Sequence, residues 1–299
     1  MQSQAKTHRA VQFNDLDRDI FLKEFEKGSW ASKVYPCGWT ISTFDTASVR
    51  LKEALIDMIT SSTGISLSDI NNAGGLEKLH TVLPKHMQSL DEHELNEVSK
   101  SFYDQSNEFL EAYHSLIKLV VETTVGEPCL FQKTPTVRAH FPYQKGFDWL
   151  PRYHTDIMLG HPPQEINIWI PLTTVNNSNT MRLVDMDESL KFIQEIEYDL
   201  TGFANRVQTD QNLQKRLHKN SRDLKMTYGE FVIFDPRCIH AGQNNKTQQT
   251  RISVDARFVP ISDYEKFGLR YKGTGRRQVM FERGDYYDER STDMIQKLP

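Results

Sequence analysis

Arg251-Ile-Ser-Val-Asp-Ala-Arg-Phe258 alternates without exception between polar and apolar residues. Side chains of an extended strand point to opposite faces in turn, so Arg251, Ser253, Asp255 and Arg257 share one face and Ile252, Val254, Ala256 and Phe258 the other. Such a strand belongs to a sheet with its apolar face on a core. Its polar face either meets solvent or lines a cavity, where a guanidinium clamps a carboxylate through two parallel hydrogen bonds. Similar short runs, bounded by Pro, Gly and Asn, occur upstream at 136–141, 153–158, 166–172, 180–184 and 231–234. The expected class is therefore mainly β with helical additions.

Before residue 125 the period changes. Val49, Leu55, Ile56 and Ile59 recur at helical spacing. From Ser89 the capping-box spacing Ser89-Leu-Asp-Glu92 opens an apolar stripe of Leu95, Val98, Phe102, Phe109, Tyr113, Leu116 and Val120. It predicts one long helix, or two with a break near Asp104, stopped by Gly126-Glu-Pro128 and packed on a sheet as scaffold. A single domain is expected over 1–299: a helical support (1–125), a β-rich core (126–260) and a C-terminal extension (261–299), all on one core. The insertion at 188–225 is helix-compatible, and reads equally as a lid or as outside packing. Arg270, Lys272, Arg276, Arg277, Arg283 and Arg290 in the tail read as a solvated face.

Composition excludes several function classes. With 38% hydrophobic and 25% charged residues and a net charge of −4, the 299-residue chain is an ordinary globular protein without the electrostatic footprint of a nucleic-acid binder. Cys37, Cys129 and Cys238 are odd in number and widely spaced, which fits neither a disulfide framework nor a structural zinc site and points to a reducing compartment. No run approaches the roughly 18–20 apolar residues of a membrane span, and the first nine residues lack the apolar core of a signal peptide. A cytoplasmic protein acting on a small molecule is expected, with no signature of oligomeric state.

His154-Thr-Asp156 lies in one of the predicted strands, so the two side chains share a face. An HxD pair alone is common, and a lone strand histidine is usually structural. If His240, after the run at 231–234, folds back to the same point, two imidazoles and a carboxylate occupy one face of an octahedral ion, an arrangement that suits non-haem Fe(II). Arg138 with His140, and Asn167 with Trp169, are further same-face pairs that either contact cosubstrate or substrate, or remain surface polar groups and an apolar wall. Arg257 reads equally as a substrate anchor or as a structural ion-pair partner, while Tyr143, Arg152 and Arg182 are weaker candidates. His161, beside Pro162-Pro163, is poorly placed for a ligand.

His154-x-Asp156, His240 and, eleven positions later, Arg251-x-Ser253 resemble the signature of the Fe(II)/2-oxoglutarate-dependent oxygenase superfamily. His240-Ala-Gly-Gln-Asn-Asn-Lys-Thr-Gln-Gln-Thr-Arg251 is similar to the phytanoyl-CoA dioxygenase-like branch, as is Ile166-Asn-Ile-Trp-Ile-Pro-Leu172 with the following Asn176-Asn-Ser-Asn179. The chain departs from that branch at Leu183-Val-Asp-Met-Asp187, which stands where a Pro-Gly-Ser-His type of ending is frequent. The helical N-terminal half joined to such a core is loosely similar to bacterial oxygenases of carbohydrate and cell-surface sugar biosynthesis clusters.

The resemblance covers roughly residues 135–260 and implies a double-stranded β-helix, a jelly-roll or cupin-like barrel of two sheets. It implies that His154, Asp156 and His240 bind Fe(II) and form the catalytic centre. It further implies that 2-oxoglutarate chelates the metal while its far carboxylate meets Arg251 and Ser253, with dioxygen (O2) as the second cosubstrate. The expected reaction hydroxylates an unactivated C–H of a small polar metabolite, a sugar or carbohydrate-derived intermediate being one candidate, and releases succinate and CO2. A carboxylate at Asp156 disfavours halogenation, which in relatives uses a small residue there. Two rivals are a cupin-like metal-dependent isomerase or lyase, against which Arg251-x-Ser253 speaks, and a non-catalytic ligand-binding member of the fold, against which the intact triad speaks.

Overall fold

The computed structural model describes residues 15–91, 95–102, 107–144, 152–273 and 279–296. Glu92 of the expected capping box, the expected break near Asp104, and Arg276 and Arg277 lie outside them. Ten strands are described: β1 (Trp39–Thr43), β2 (Cys129–Gln132), β3 (Thr136–His140), β4 (Ile166–Pro171), β5 (Met181–Val184), β6 (Ser221–Asp223), β7 (Glu230–Phe234), β8 (His240–Gly242), β9 (Arg251–Pro260) and β10 (Tyr287–Ser291). The large sheet runs β1-β7-β4-β9-β2-β10, with β3 also on β9, and the small sheet runs β6-β5-β8. Every pairing between these strands is antiparallel. The two sheets form the double-stranded β-helix core.

β9 organises the large sheet, and its alternation assigns the two faces. In register, Ile168 lies opposite Ala256 and Ile233, while Asn167 lies opposite Arg257 and Phe234. Residues directly opposite in an antiparallel pair share a face. One face therefore presents Ile166, Ile168, Ile170, Val254, Ala256 and Phe258. These bury against Leu55, Met58 and Ile59 of helix Leu51–Thr63 and Tyr113, Leu116, Ile117 and Val120 of helix Asn107–Thr124, in one continuous cluster. Trp169, Val232 and Phe234, on the other face, pack with Met181 and Leu183 of β5 inside the barrel.

The stripe from residue 95 onward folds as two described helices, Glu97–Ser101 and Asn107–Thr124. The first is capped by Asn96, whose side chain accepts from the Ser99 N–H at 2.9 Å, and Ser89 instead closes a short helix, Lys85–Gln88. The insertion folds into helices Met186–Glu195, Leu200–Thr209 and Gln211–Asn220. Its Phe192, Ile193, Phe203, Leu213 and Leu217 pack with Tyr153, Ile157 and Met158. Among the described residues no helix is long and apolar enough to cross a membrane.

A polar knot ties the N-terminal helices to the turn before β8. Arg237 donates to both Asp235 oxygens (2.8 and 2.9 Å), to the Phe25 carbonyl (2.6 Å) and to Ser32 Oγ (2.8 Å). Asp235 also accepts from the Ser29 N–H and hydroxyl at 3.0 and 2.8 Å. Gly28 has φ +59°, and a Cβ there would run into the Arg237 guanidinium, which those bonds hold in place. Gly28→Ala is expected to cost about 2–3 kcal/mol in urea unfolding; a loss below about 0.5 kcal/mol would show that the knot yields freely.

Candidate metal centre

His154 and His240 meet across a single bridge, His154 N donating to His240 O at 3.0 Å and His240 N to His154 O at 2.9 Å. Beyond it the Asp156 N–H turns to the Pro236 carbonyl (3.1 Å), and a 3₁₀ turn, Asp156–Leu159, closes on Gly160 at φ +89°. The strand expected over 153–158 is thus corrected to one bridging residue and a turn. Its ladder ends because the next backbone donor finds a loop carbonyl rather than a strand partner.

The side chains nevertheless converge. Asp156 Oδ1 lies 3.5 Å from His240 Nε2 and 3.9 Å from His154 Nε2, and the imidazole centroids are 4.3 Å apart. One ligand atom from each of the three residues lies within 4.8 Å of the others, the one such trio among the described residues.

Each of these residues is held from behind. His154 Nδ1 donates to the Arg152 carbonyl at 2.8 Å and His240 Nδ1 to the Cys238 carbonyl at 3.0 Å, in both cases two residues upstream. A carbonyl only accepts, so both protons sit on Nδ1 and both Nε2 lone pairs face the centre. Partial burial, with His240 beside it, pushes the His154 imidazole down to about 4, which keeps it neutral at neutral pH. Phe234 stands edge-on to the His240 ring at 5.0 Å.

Asp156 is fully buried, and both Arg257 Nε and Nη2 donate to its Oδ2, at 2.9 and 2.8 Å. Burial alone would raise this carboxyl, but Arg257 and the neighbouring histidines outweigh it and hold the pKa far below the usual carboxylate range. Its Oδ1 is buried without any hydrogen-bond partner. An unpaired buried polar atom costs about 1–3 kcal/mol, a cost that a cation at this point would remove. Two imidazole nitrogens and one carboxylate oxygen are a donor set that fits Fe(II).

A second group of unpaired atoms lies on the same face of β9. Arg251 is buried with Nε unpartnered, and Ser253 Oγ is buried and equally unpartnered. Burial pushes the Arg251 guanidinium down to about 10, so it stays cationic at neutral pH. A buried cation and a hydroxyl two residues apart match an incoming carboxylate.

The remaining candidates separate. Arg257 is engaged on Asp156, the ion-pair partner of its two possible roles. Arg138, half exposed, pairs with Asp255 at 3.0 Å on the rim. His140 lies opposite Arg251 and lines a small pocket with Tyr143, Asn245 and Lys246; burial, with Arg251 and Arg138 nearby, holds its pKa well below the ordinary value. Trp169 is part of the apolar wall. Asn167 is buried beside Arg257, and neither atom of its amide has a partner. His161 is turned away by its Nδ1 contact with Glu165 at 2.6 Å. Sequence reading missed the two carbonyl supports, which carry no side-chain signature, and the Phe234 ring against His240.

A family model described as phytanoyl-CoA dioxygenase (PhyH) matches residues 76–253, more than half of the chain. The streptomycin biosynthesis protein StrG of Streptomyces griseus is 24% identical over 190 residues, covering 63% of this chain and 74% of StrG. Among solved structures, the non-haem alpha-ketoglutarate-dependent carbocyclase SnoK from nogalamycin biosynthesis is similar with TM-score 0.48 and 14% identity, covering 84% of this chain and 88% of SnoK. EctD from S. alaskensis, solved with 2-oxoglutarate and 5-hydroxyectoine, gives TM-score 0.46 and 11% identity over 92% of this chain and 86% of EctD.

Proposed function

The chain belongs to the phytanoyl-CoA dioxygenase family of Fe(II)/2-oxoglutarate oxygenases, and on that premise we propose that it hydroxylates an unactivated C–H bond of a small polar metabolite, a sugar or carbohydrate-derived intermediate. The observation that carries this reading is the pattern of unpaired buried atoms. Asp156 Oδ1 completes a trio with two Nε2 lone pairs, and Arg251 Nε with Ser253 Oγ awaits an anion on the same barrel face. A cation site and a carboxylate site on one barrel face are what a chelating 2-oxo diacid requires.

His154, Asp156 and His240 would hold Fe(II) through Nε2, Oδ1 and Nε2 and leave its remaining positions open. When bound, the iron couples oxidative decarboxylation of 2-oxoglutarate by O2, giving succinate and CO2, to oxidation of the substrate. Arg251 and Ser253 fix the far carboxylate, so the cosubstrate enters in one orientation. Arg257 keeps Asp156 anionic and oriented. Trp169, Val232 and Phe234 form a water-excluding wall beside the centre. His154, whose side chain is 33% exposed, marks the open side, and the Arg138–Asp255 pair gives its rim a polar character suited to a hydroxylated substrate. The relationship to a protein of streptomycin biosynthesis supports a small-molecule substrate of this kind.

The test is anaerobic addition of Fe(II) and 2-oxoglutarate, watched for the weak visible metal-to-ligand band, followed by succinate release in air. Both are expected from the wild type, and neither from His154→Ala, which should also lose metal binding. Folded wild-type protein giving neither signal would overturn the assignment. Substrate class is then read from coupled succinate release across a panel of sugars and sugar derivatives.

A further inference from the structure

The proposed iron and far-carboxylate contacts account for the unpaired atoms of Asp156, Arg251 and Ser253 but leave the Asn167 amide unexplained. Asn167 is 2% exposed, and both its Nδ2 and Oδ1 lack partners. Buried amides are nearly always hydrogen-bonded, so one idle at both ends points to a group that arrives later. Its place on β4 says where. Asn167 lies opposite Arg257 on one neighbouring strand and Phe234 on the other. Arg257 clamps Asp156 and Phe234 packs on the His240 ring, so Asn167 stands between the supports of two of the three proposed iron ligands. Ser253 lies opposite Pro171, four residues further along β4, so the far-carboxylate site is at the other end of the same face. The amide makes no hydrogen bond to the neighbouring barrel wall of Trp169, Val232 and Phe234.

We infer that Asn167 is a cosubstrate-positioning residue: its Nδ2–H donates to the 2-oxo-acid end of 2-oxoglutarate, opposite the end held by Arg251 and Ser253. The inference rests on the Fe(II)/2-oxoglutarate reading. Oδ1 then accepts from water beside the metal, since an anionic 2-oxo acid offers no proton of its own. The cosubstrate is thus gripped at both ends, which sets its rotation about the metal as well as its depth in the barrel.

The test uses Asn167→Leu, close in size to the native residue, and Asn167→Ala, with Arg251→Ala for comparison. Three quantities are read: the melting temperature without ligands, Mn(II) affinity, and anaerobic titration of 2-oxoglutarate into the Fe(II)-loaded protein. Asn167→Leu should melt at or above the wild-type temperature, because an idle buried amide is replaced by an apolar side chain. Both Asn167 variants should keep Mn(II) affinity within about threefold, bind 2-oxoglutarate about tenfold more weakly and move the maximum of the visible band. Arg251→Ala should weaken binding without moving that maximum.

Titrations within about twofold of wild type, an affinity loss with an unmoved band, or clear destabilisation of ligand-free Asn167→Leu would each overturn the inference while leaving the oxygenase reading intact. Absence of any band in the wild type would instead overturn that reading, and this inference with it.

Discussion

Arg257→Met is expected to lower the melting temperature of the metal-free protein by roughly 5–8 °C. Asp156 has no solvent to fall back on: it is fully buried, and the two Arg257 contacts at 2.9 and 2.8 Å are the charged hydrogen bonds on its Oδ2. Removing one partner of a buried ion pair leaves an uncompensated charge and costs about 3–5 kcal/mol, against at most about 1 kcal/mol for an exposed pair. Arg138–Asp255, half exposed on the rim, is the internal control. Arg138→Met should shift the melting temperature by no more than about 2 °C. Arg257→Lys should recover only part of the loss, because an ammonium cannot reproduce the forked contact on one oxygen.

The same substitution carries a functional signature. Arg257 fixes which carboxylate oxygen of Asp156 is free, and loss of such a support typically lowers metal affinity about 10–100-fold. Mn(II) binding to folded Arg257→Met, followed by calorimetry below its melting temperature, should show that drop. A variant with wild-type stability and wild-type Mn(II) affinity would mean that the contact contributes neither to folding nor to the centre.

How far the sequence disclosed this arrangement depended on whether the information was local. β9 was legible because its two unlike faces force polar and apolar residues to alternate, and β4 because a short, largely apolar run bounded by turn residues reads as a buried strand; their registers place Arg251, Ser253, Arg257 and Asn167 on one face. The pair His154-x-Asp156 was legible as a pair but not as a geometry, since a two-residue spacing cannot distinguish a strand from a one-residue bridge entering a 3₁₀ turn. β6 and β10, Ser-Arg-Asp and Tyr-Asp-Glu-Arg-Ser, lack an apolar period because pairing rather than burial defines them. β1 sits in a stretch broken by Pro36 and Gly38, which hides its short run. The helix start fell at Asn96 rather than Ser89, since either residue type can cap and tertiary packing selects between them. The clamp of Arg257 on Asp156 spans 101 positions and leaves no local trace. The carbonyls behind His154 and His240 belong to backbone, which any residue supplies.

Arg251→Ala is expected to raise the concentration of 2-oxoglutarate needed for binding by about 100-fold or more, while the ligand-free protein becomes no less stable. The two halves of that result have one cause. Arg251 is buried at the start of β9, its Nε has no partner, and burial already pushes its guanidinium down to about 10, a measure of what desolvation costs the cation. In the ligand-free protein Asp255 offsets only part of that cost, so truncation relieves the remainder. In the complex the buried guanidinium meets a carboxylate, and losing one side of such a pair costs about 2–5 kcal/mol, which is about 30-fold to several thousandfold in affinity. Ser253→Ala removes only a neutral donor to an anion and should lose about tenfold. Mn(II) affinity should be unchanged in both variants, since neither residue belongs to the proposed ligand trio. Anaerobic titration of the Fe(II)-loaded proteins, beside ligand-free melting curves, reads all of these quantities. If Arg251→Ala destabilised the ligand-free fold and left 2-oxoglutarate binding intact, the guanidinium would be a structural cation and the far carboxylate would have to be held elsewhere.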